Sequence, residues 1–209
     1  MRLTKFFTFA TLCFALYLYA AQAAEAASPA REALEGSINK VLNIIKQPAY
    51  ANPATRAPLK QEIEAELRTS FDFGEFSLRT VGPRWKEFTQ DQKQRFADAF
   101  ASLLMHTYVD KIDGYNGEQV AFTGERGKGD KVEVQTTIAM KNGNKVPVAY
   151  RMLSKDGTWR VYDVVVENIS LVMNYRAQFQ EILASASPDD LIAKVQAKAA
   201  EMPATRGNK

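Results

Sequence analysis

The chain has 209 residues, 46% hydrophobic and 24% charged, with 11 Gly and 8 Pro, proportions that exclude a fibrous, low-complexity or wholly disordered protein. Its 27 Lys and Arg against 24 Asp and Glu leave a net charge of +3, too balanced for a protein that works by neutralising a phosphate backbone, so nucleic acid is not an expected partner. One Cys and one His argue against a zinc site, which needs about four ligands, and against dithiol chemistry, which needs two sulfurs, so no metal is expected.

Residues 1–23 divide into a basic start with Arg2 and Lys5, an apolar run from Phe6 to Tyr19, and the small-x-small site Ala21-Gln22-Ala23. This is the pattern of a secretory signal, and its apolar run falls short of the roughly 20 residues that span a bilayer. Cys13 lies inside the run behind Leu12, which argues against a lipid-modified N-terminal cysteine. Cleavage after Ala23 leaves a cysteine-free chain of 186 residues with 25 basic and 24 acidic side chains. A chain of that length buries enough surface to fold without disulfides, and the absence of cysteine fits a bacterial periplasm.

Ser28-Pro29 marks the start of a first helix carrying Leu34, Ile38, Val41, Leu42 and Ile45 on one face. Pro48 is expected to end it, and Asn52-Pro53 to cap a second helix with Leu59, Ile63 and Leu67. A short helical stretch with Phe76 and Leu78 breaks at Gly82-Pro83, and Thr89 to Gln92 reads as a capping box before a strong amphipathic helix with Phe96, Phe100, Leu103, Leu104, Thr107 and Tyr108.

The period then changes from about 3.6 to 2 over four strand-like runs, 118–123, 131–140, 145–154 and 158–167. Gly127 to Asp130, Asn142 to Asn144 and Asp156-Gly157 are turn signals that predict an antiparallel meander. Val132, Val134, Thr136, Ile138 and Met140 alternate on one face, as do Val146, Val148, Tyr150 and Met152, and Trp159, Val161 and Val165. Tyr162, Val164 and Val166 on the opposite face of the last strand predict helices on both of its sides. Leu171, Val172, Tyr175, Phe179 and Ile182 return to helical spacing, and Ser187 caps a last helix carrying Leu191, Ile192, Val195 and Met202. The organisation is therefore a signal peptide over 1–23, one α+β domain over 24–203 built from an antiparallel four-stranded meander packed with several helices, and a short tail over 204–209.

The candidate chemistry is sparse. His106 sits at the edge of an apolar stripe with no second ligand, and the pair Asp110 with Asp113 reads as solvated. Ser77, Ser102 and Ser170 lack a nucleophile elbow, and no Gly-rich phosphate loop follows a strand. Asp163 is sharper, because it interrupts an apolar alternation and a buried carboxylate needs a partner; Arg151 and Arg176 are the candidates. The many aromatic residues fill a solid core or line a pocket, and spacing leaves both open.

Three features together resemble the MlaC/Ttg2D family of periplasmic phospholipid-binding, or toluene-tolerance, proteins of Gram-negative bacteria. They are FDFGEFSLRTVGPRW from Phe71 to Trp85, the Phe96, Phe100 and Tyr108 helix, and WRVYDVVVENISLVMNYRAQF from Trp159 to Phe179. The resemblance implies a cone-like α+β fold around an apolar cavity and a soluble carrier with bound phospholipid as cargo, with no other cofactor and no enzymatic activity. It further implies shuttling between an outer-membrane lipoprotein–porin complex and an inner-membrane ABC transporter complex with its substrate-binding-domain subunit, maintaining outer-membrane lipid asymmetry. Tyr108, Val148 and Tyr150 match the family's cavity positions. With the faces read above they give the expected lipid-binding set Phe100, Leu103, Leu104, Tyr108, Val134, Ile138, Val148, Tyr150, Trp159, Val161 and Val165, with Arg151 and Arg176 as head-group candidates.

A carrier of this kind has to hide two acyl chains of about 30 methylenes, worth over roughly 20 kcal/mol of exposure to water, so a surface groove is not enough. Transfer from bilayer to an equally apolar cavity is nearly neutral and asks for no ATP site. Two rival expectations remain: a nuclear-transport-factor-two-like hydrolase or isomerase using His106 and Asp163 as acid and base inside a polar pocket, and a structural adaptor with a solid core. The signal reading predicts a mature chain that starts at or near Ala24 and carries no acyl group. Intact mass of the exported protein checks it, and a retained 1–23 segment or an added diacylglycerol mass overturns it.

Overall fold

Side-chain caps start most of the helices. In the computed structural model, which describes residues 27–112 and 114–201, the Ser28 hydroxyl accepts from the Arg31 amide at 3.2 Å and opens α1, Pro29–Ile45. Pro48 opens a one-turn helix α2, Pro48–Ala51, rather than only ending α1, since a proline at the first helical position misses no hydrogen bond. Asn52 caps α3, Pro53–Ser70, and Asp72 caps α4, Phe73–Val81, which runs into a 3-10 turn over Gly82–Glu87. Thr89 and Gln92 exchange side-chain and backbone hydrogen bonds at 3.0 and 3.2 Å, the capping box of α5, Gln90–Ile112. The export segment with Cys13, the site after Ala23, the carboxylate pair of Asp110 and Asp113, Met202 and the tail lie outside the described side chains.

The strands are β1, Gln119–Lys128; β2, Lys131–Ala139; β3, Lys145–Lys155; β4, Thr158–Val166; and β5, Ile169–Ser170. They pair as an antiparallel meander in the order β1-β2-β3-β4-β5, followed by α6, Leu171–Leu183, and α7, Pro188–Glu201. The sheet has five strands where four were expected. The fifth follows a two-residue turn, Glu167-Asn168, with φ of 50° and 67°, and it is too short for a period-2 signal. β1 also runs past the expected end at Thr123, because Gly127 takes φ 133° where a Cβ would collide with the Lys131 carbonyl oxygen, letting the hairpin close at Gly129-Asp130.

A bulge in β4 decides which residues face which side. Met152 pairs with Val161 and Arg151 with Asp163, so Tyr162 is one extra residue and the in-out alternation reverses there. Trp159 and Val161 before it share a face with Val164 and Val166 after it, and Asp163 and Val165 turn to the outer face. Tyr162 lies under the Arg79 guanidinium of α4, 4.1 Å from its ring centroid.

Asp163 is 1% exposed, and its partner is Arg151, not Arg176. It accepts from Arg151 Nη1 at 2.9 Å, Ser170 Oγ at 2.6 Å and the Val172 amide at 3.0 Å. The Ser170 hydroxyl in turn accepts from the Met173 amide, so one buried carboxylate fixes β3, β4 and the start of α6 together. Arg151 continues to Glu133 at 3.2 Å, and Glu133 pairs with Arg126 at 2.7 Å. Burial works to raise the Glu133 carboxyl, but hydrogen bonds from Arg126, Arg151 and Gln135 outweigh it and hold it below its ordinary value.

The apolar residues gather in three clusters. Phe76, Phe96, Phe100 and Phe179 centre one between α4, α5, α6 and α7. Ala30 and Leu34 of α1 pack on Val134, Met152 and Val161 of the sheet, and Tyr50, Leu59, Ile63, Met105 and Val109 join α2, α3 and α5. Asp163→Ala removes the acceptor for two buried donors, the Ser170 hydroxyl and the Val172 amide, and for the half-buried Arg151, and is expected to cost about 3 kcal/mol, lowering the melting temperature by roughly 10 °C. Thermal unfolding followed by circular dichroism measures it, and an unchanged melting temperature contradicts the bracing role.

Candidate functional site

Between these clusters the chain leaves a cavity of about 860 Å³. It exists because α1 and α3 lie across the sheet without filling the space beneath them. Leu34, Ile38, Val41, Leu42 and Ile45 of α1 and Leu67 of α3 form one wall. The inner faces of β2, β3 and β4 form the other, through residues such as Ile138, Val148, Tyr150 and Trp159, and Phe73, Phe76, Leu104 and Tyr108 close the helical end.

Seven residues of the expected set, Leu104, Tyr108, Ile138, Val148, Tyr150, Trp159 and Val161, line this cavity. The other four do not. Phe100 and Leu103 point into the helical cluster, since α5 carries apolar residues on more than one side and that part of the helix packs on α4, α6 and α7. Val134 is on the inner face but is fully buried under Ala30 and Leu34 of α1. Val165 lies on the outer face, because the bulge at Tyr162 reverses the alternation, and it borders a polar recess with Arg126, Glu133 and Arg151.

Neither head-group candidate lines the cavity. Arg151 alternates with Tyr150 and so faces outward, held by Glu133 and Asp163. Arg176 of α6 lies against Gly82, with its guanidinium about 3 Å from where a Cβ on that glycine would stand. The strict alternation also missed Val164 and Val166, which do line the cavity, and the α1 stripe was legible as an apolar face but not as a cavity wall.

Two phenols stay neutral, Tyr150 in the cavity wall and Tyr175 in the adjoining helical cluster. Burial pushes the Tyr150 phenol up to about 12, and burial, aided by the neighbouring Tyr108 hydroxyl, brings Tyr175 to about 12 as well. His106 is not at the cavity: its Nδ1 lies 3.0 Å from the Ala199 carbonyl oxygen of α7. His106 and Asp163 therefore belong to different parts of the molecule, one bracing α5 on α7 and the other on the outer face of the sheet. Among the described residues no cluster of three His, Cys, Asp or Glu side chains is disposed to hold a metal ion, and no helix is long and apolar enough to cross a membrane.

A meander sheet and helices closed around a large, mainly apolar cavity define an α+β pocket domain of the ligand-holding kind. The chain belongs to the MlaC family, whose model, described as MlaC protein, matches residues 35–197. It is 25% identical over 213 aligned residues to the intermembrane phospholipid transport system binding protein MlaC of Haemophilus influenzae, with 96% of each chain covered. It is also 27% identical over 99 residues to the toluene tolerance protein ttg2D of Pseudomonas putida, covering 47% of this chain and 46% of that one. The fold matches a phospholipid-binding protein from Ralstonia solanacearum, solved in complex with a phospholipid, with a TM-score of 0.73 and 24% identity over 84% of this chain and 99% of that one.

His106→Ala removes one brace between α5 and α7 and no cavity-lining group. It is expected to cost about 1 kcal/mol, a drop of roughly 3 °C in melting temperature, and to leave ligand content unchanged. Calorimetry with lipid extraction checks both, and loss of ligand from a folded variant contradicts it.

Proposed function

We propose that this protein is a non-enzymatic periplasmic carrier that holds the acyl chains of a phospholipid in the cavity between α1, α3 and the sheet. On this reading it moves lipid between an outer-membrane lipoprotein–porin complex and an inner-membrane ABC transporter complex, and so maintains outer-membrane lipid asymmetry. The observation that carries it is the size and lining of the cavity. A methylene occupies somewhat less than the roughly 30 Å³ of a liquid water molecule, so 860 Å³ is room for on the order of 30 methylenes, two acyl chains. The names of the relatives, a phospholipid transport binding protein and a phospholipid-binding protein, support the same reading.

The energetics are those of a carrier. At roughly 0.8 kcal/mol per methylene the bound chains avoid over about 20 kcal/mol of contact with water. The same chains lose little on passing from bilayer to cavity, so direction is set by the partners. The hydrolase or isomerase reading required an acid–base pair inside the pocket, and its two candidate residues are placed elsewhere.

Organic extraction of the protein purified from cells, followed by mass spectrometry, is expected to give about one phospholipid per chain. Val148→Asp and Ile38→Asp each bring an unpaired charge against the tails from opposite walls and are expected to abolish that content, since burying such a charge costs several kcal/mol or more. Circular dichroism separates lost binding from lost fold. Full lipid content in either folded variant would show that the acyl chains do not lie in this cavity.

A further inference from the structure

The sheet wall of the cavity carries a polar atom that the fold leaves unused. Tyr150 stands on the inner face of β3, the central strand, and lines the cavity. Its phenol hydroxyl has no hydrogen-bond partner among the described residues, whereas the hydroxyl of Tyr108, at the helical end of the same cavity, is engaged with that of Tyr175.

The neighbouring wall cannot supply a partner. Val134 and Val164 stand opposite Tyr150 on β2 and β4, and Val148 and Met152 flank it on its own strand, all of them apolar. Burial pushes the phenol up to about 12, so at neutral pH it keeps its proton and is a donor. A fixed water needs roughly two to four polar partners, and this stretch of wall offers only the phenol itself. Phenylalanine would fill the same space without a polar group to satisfy, since the two side chains differ only by the hydroxyl. A buried donor with no acceptor inside the protein is a donor for something the protein takes in.

Resting on the carrier reading above, we propose that the Tyr150 hydroxyl donates a hydrogen bond to an ester carbonyl of the bound phospholipid, fixing how deep the glycerol backbone sits and favouring ester-linked over ether-linked chains. Methylenes and terminal methyls accept no hydrogen bond. The phosphate is a charged acceptor, and burial against Val134, Val148 and Val164 would strip it of water without supplying a cation. The ester carbonyls are the neutral acceptors that enter an apolar space together with the chains. An ether-linked chain has no carbonyl, and the phenol stays unsatisfied when such a lipid binds.

The test loads delipidated protein from vesicles holding equal amounts of a diacyl phosphatidylethanolamine and its dialkyl ether analogue, matched in head group and chain length, and identifies the bound lipid by mass spectrometry. Wild type is expected to favour the ester lipid by roughly fivefold, about 1 kcal/mol and the net worth of one hydrogen bond, and Tyr150→Phe to bring the ratio close to one. The melting temperature of delipidated Tyr150→Phe is expected to equal or exceed that of delipidated wild type, because the substitution removes a donor that has no partner until lipid binds. Wild-type lipid that mirrors the vesicles overturns the proposal, as does an unchanged ester preference in Tyr150→Phe. A lower melting temperature for the delipidated variant, or its failure to fold, means that the phenol is bonded within the protein and overturns it equally. Protein that takes up neither lipid removes the carrier reading itself, a result distinct from lipid taken up without preference.

Discussion

One extra residue in β4 governs the arrangement of the rest. With a regular strand, Asp163 would stand on the same face as Val161 and project into the apolar space under α1. The bulge at Tyr162 turns it outward to Arg151, where a carboxylate can be paired, and turns Val164 and Val166 inward to replace it. The same step places Asp163 beside Ser170 and the Val172 amide, so the sheet's last full strand and the first turn of α6 share one hydrogen-bonded centre. The apolar inner surface and the charged outer surface of the sheet thus depend on a single reversal of alternation.

A cavity of this size is possible because stability is gathered elsewhere. The aromatic cluster of Phe76, Phe96, Phe100 and Phe179, with edge-to-face contacts such as Phe96 to Phe179 at 5.5 Å between centroids, packs the helical half as a solid core. A second cluster fastens the start of α1 to the sheet, and a third fastens α2 and α3 to α5. The helices that roof the cavity are therefore held at their ends, and their middles need not touch the sheet. Dispersion and burial that a filled core would have supplied beneath α1 are left to a ligand.

The charges follow the same division. The outer face carries a closed chain of ion pairs, Arg126 to Glu133 to Arg151 to Asp163, whose members satisfy one another and brace the strands. On the cavity side the Tyr150 phenol remains neutral, and Lys40 and Glu66 pair where α1 meets α3. The Arg151–Asp163 pair, with its carboxylate 1% exposed, resists loss of either partner most strongly, whereas Arg126–Glu133 and Lys40–Glu66 each join an exposed cation to a largely buried carboxylate.

Local rules were enough for much of the fold. Ser28, Asn52, Thr89 with Gln92, and Ser187 act as caps because their side chains bond amides two or three residues away, and the glycine and asparagine turns set the meander. The motifs around Phe71–Trp85 and Trp159–Phe179 carried the family, since they are contiguous in sequence. What the sequence left open was what lay opposite each apolar stripe. Whether Phe100 or Leu104 meets a ligand depends on which neighbour of α5 lies over it, and α1 shows the same periodicity over a cavity as over a core. The flip of Val165 and Val164 left one local mark, the carboxylate of Asp163 on an otherwise apolar face, but that mark reads equally as a buried residue needing a partner and as one turned outward by an extra residue. Helix starts and turns are written by nearest neighbours along the chain, whereas the cavity is the space between elements distant in sequence, and only their packing decides where it is left empty.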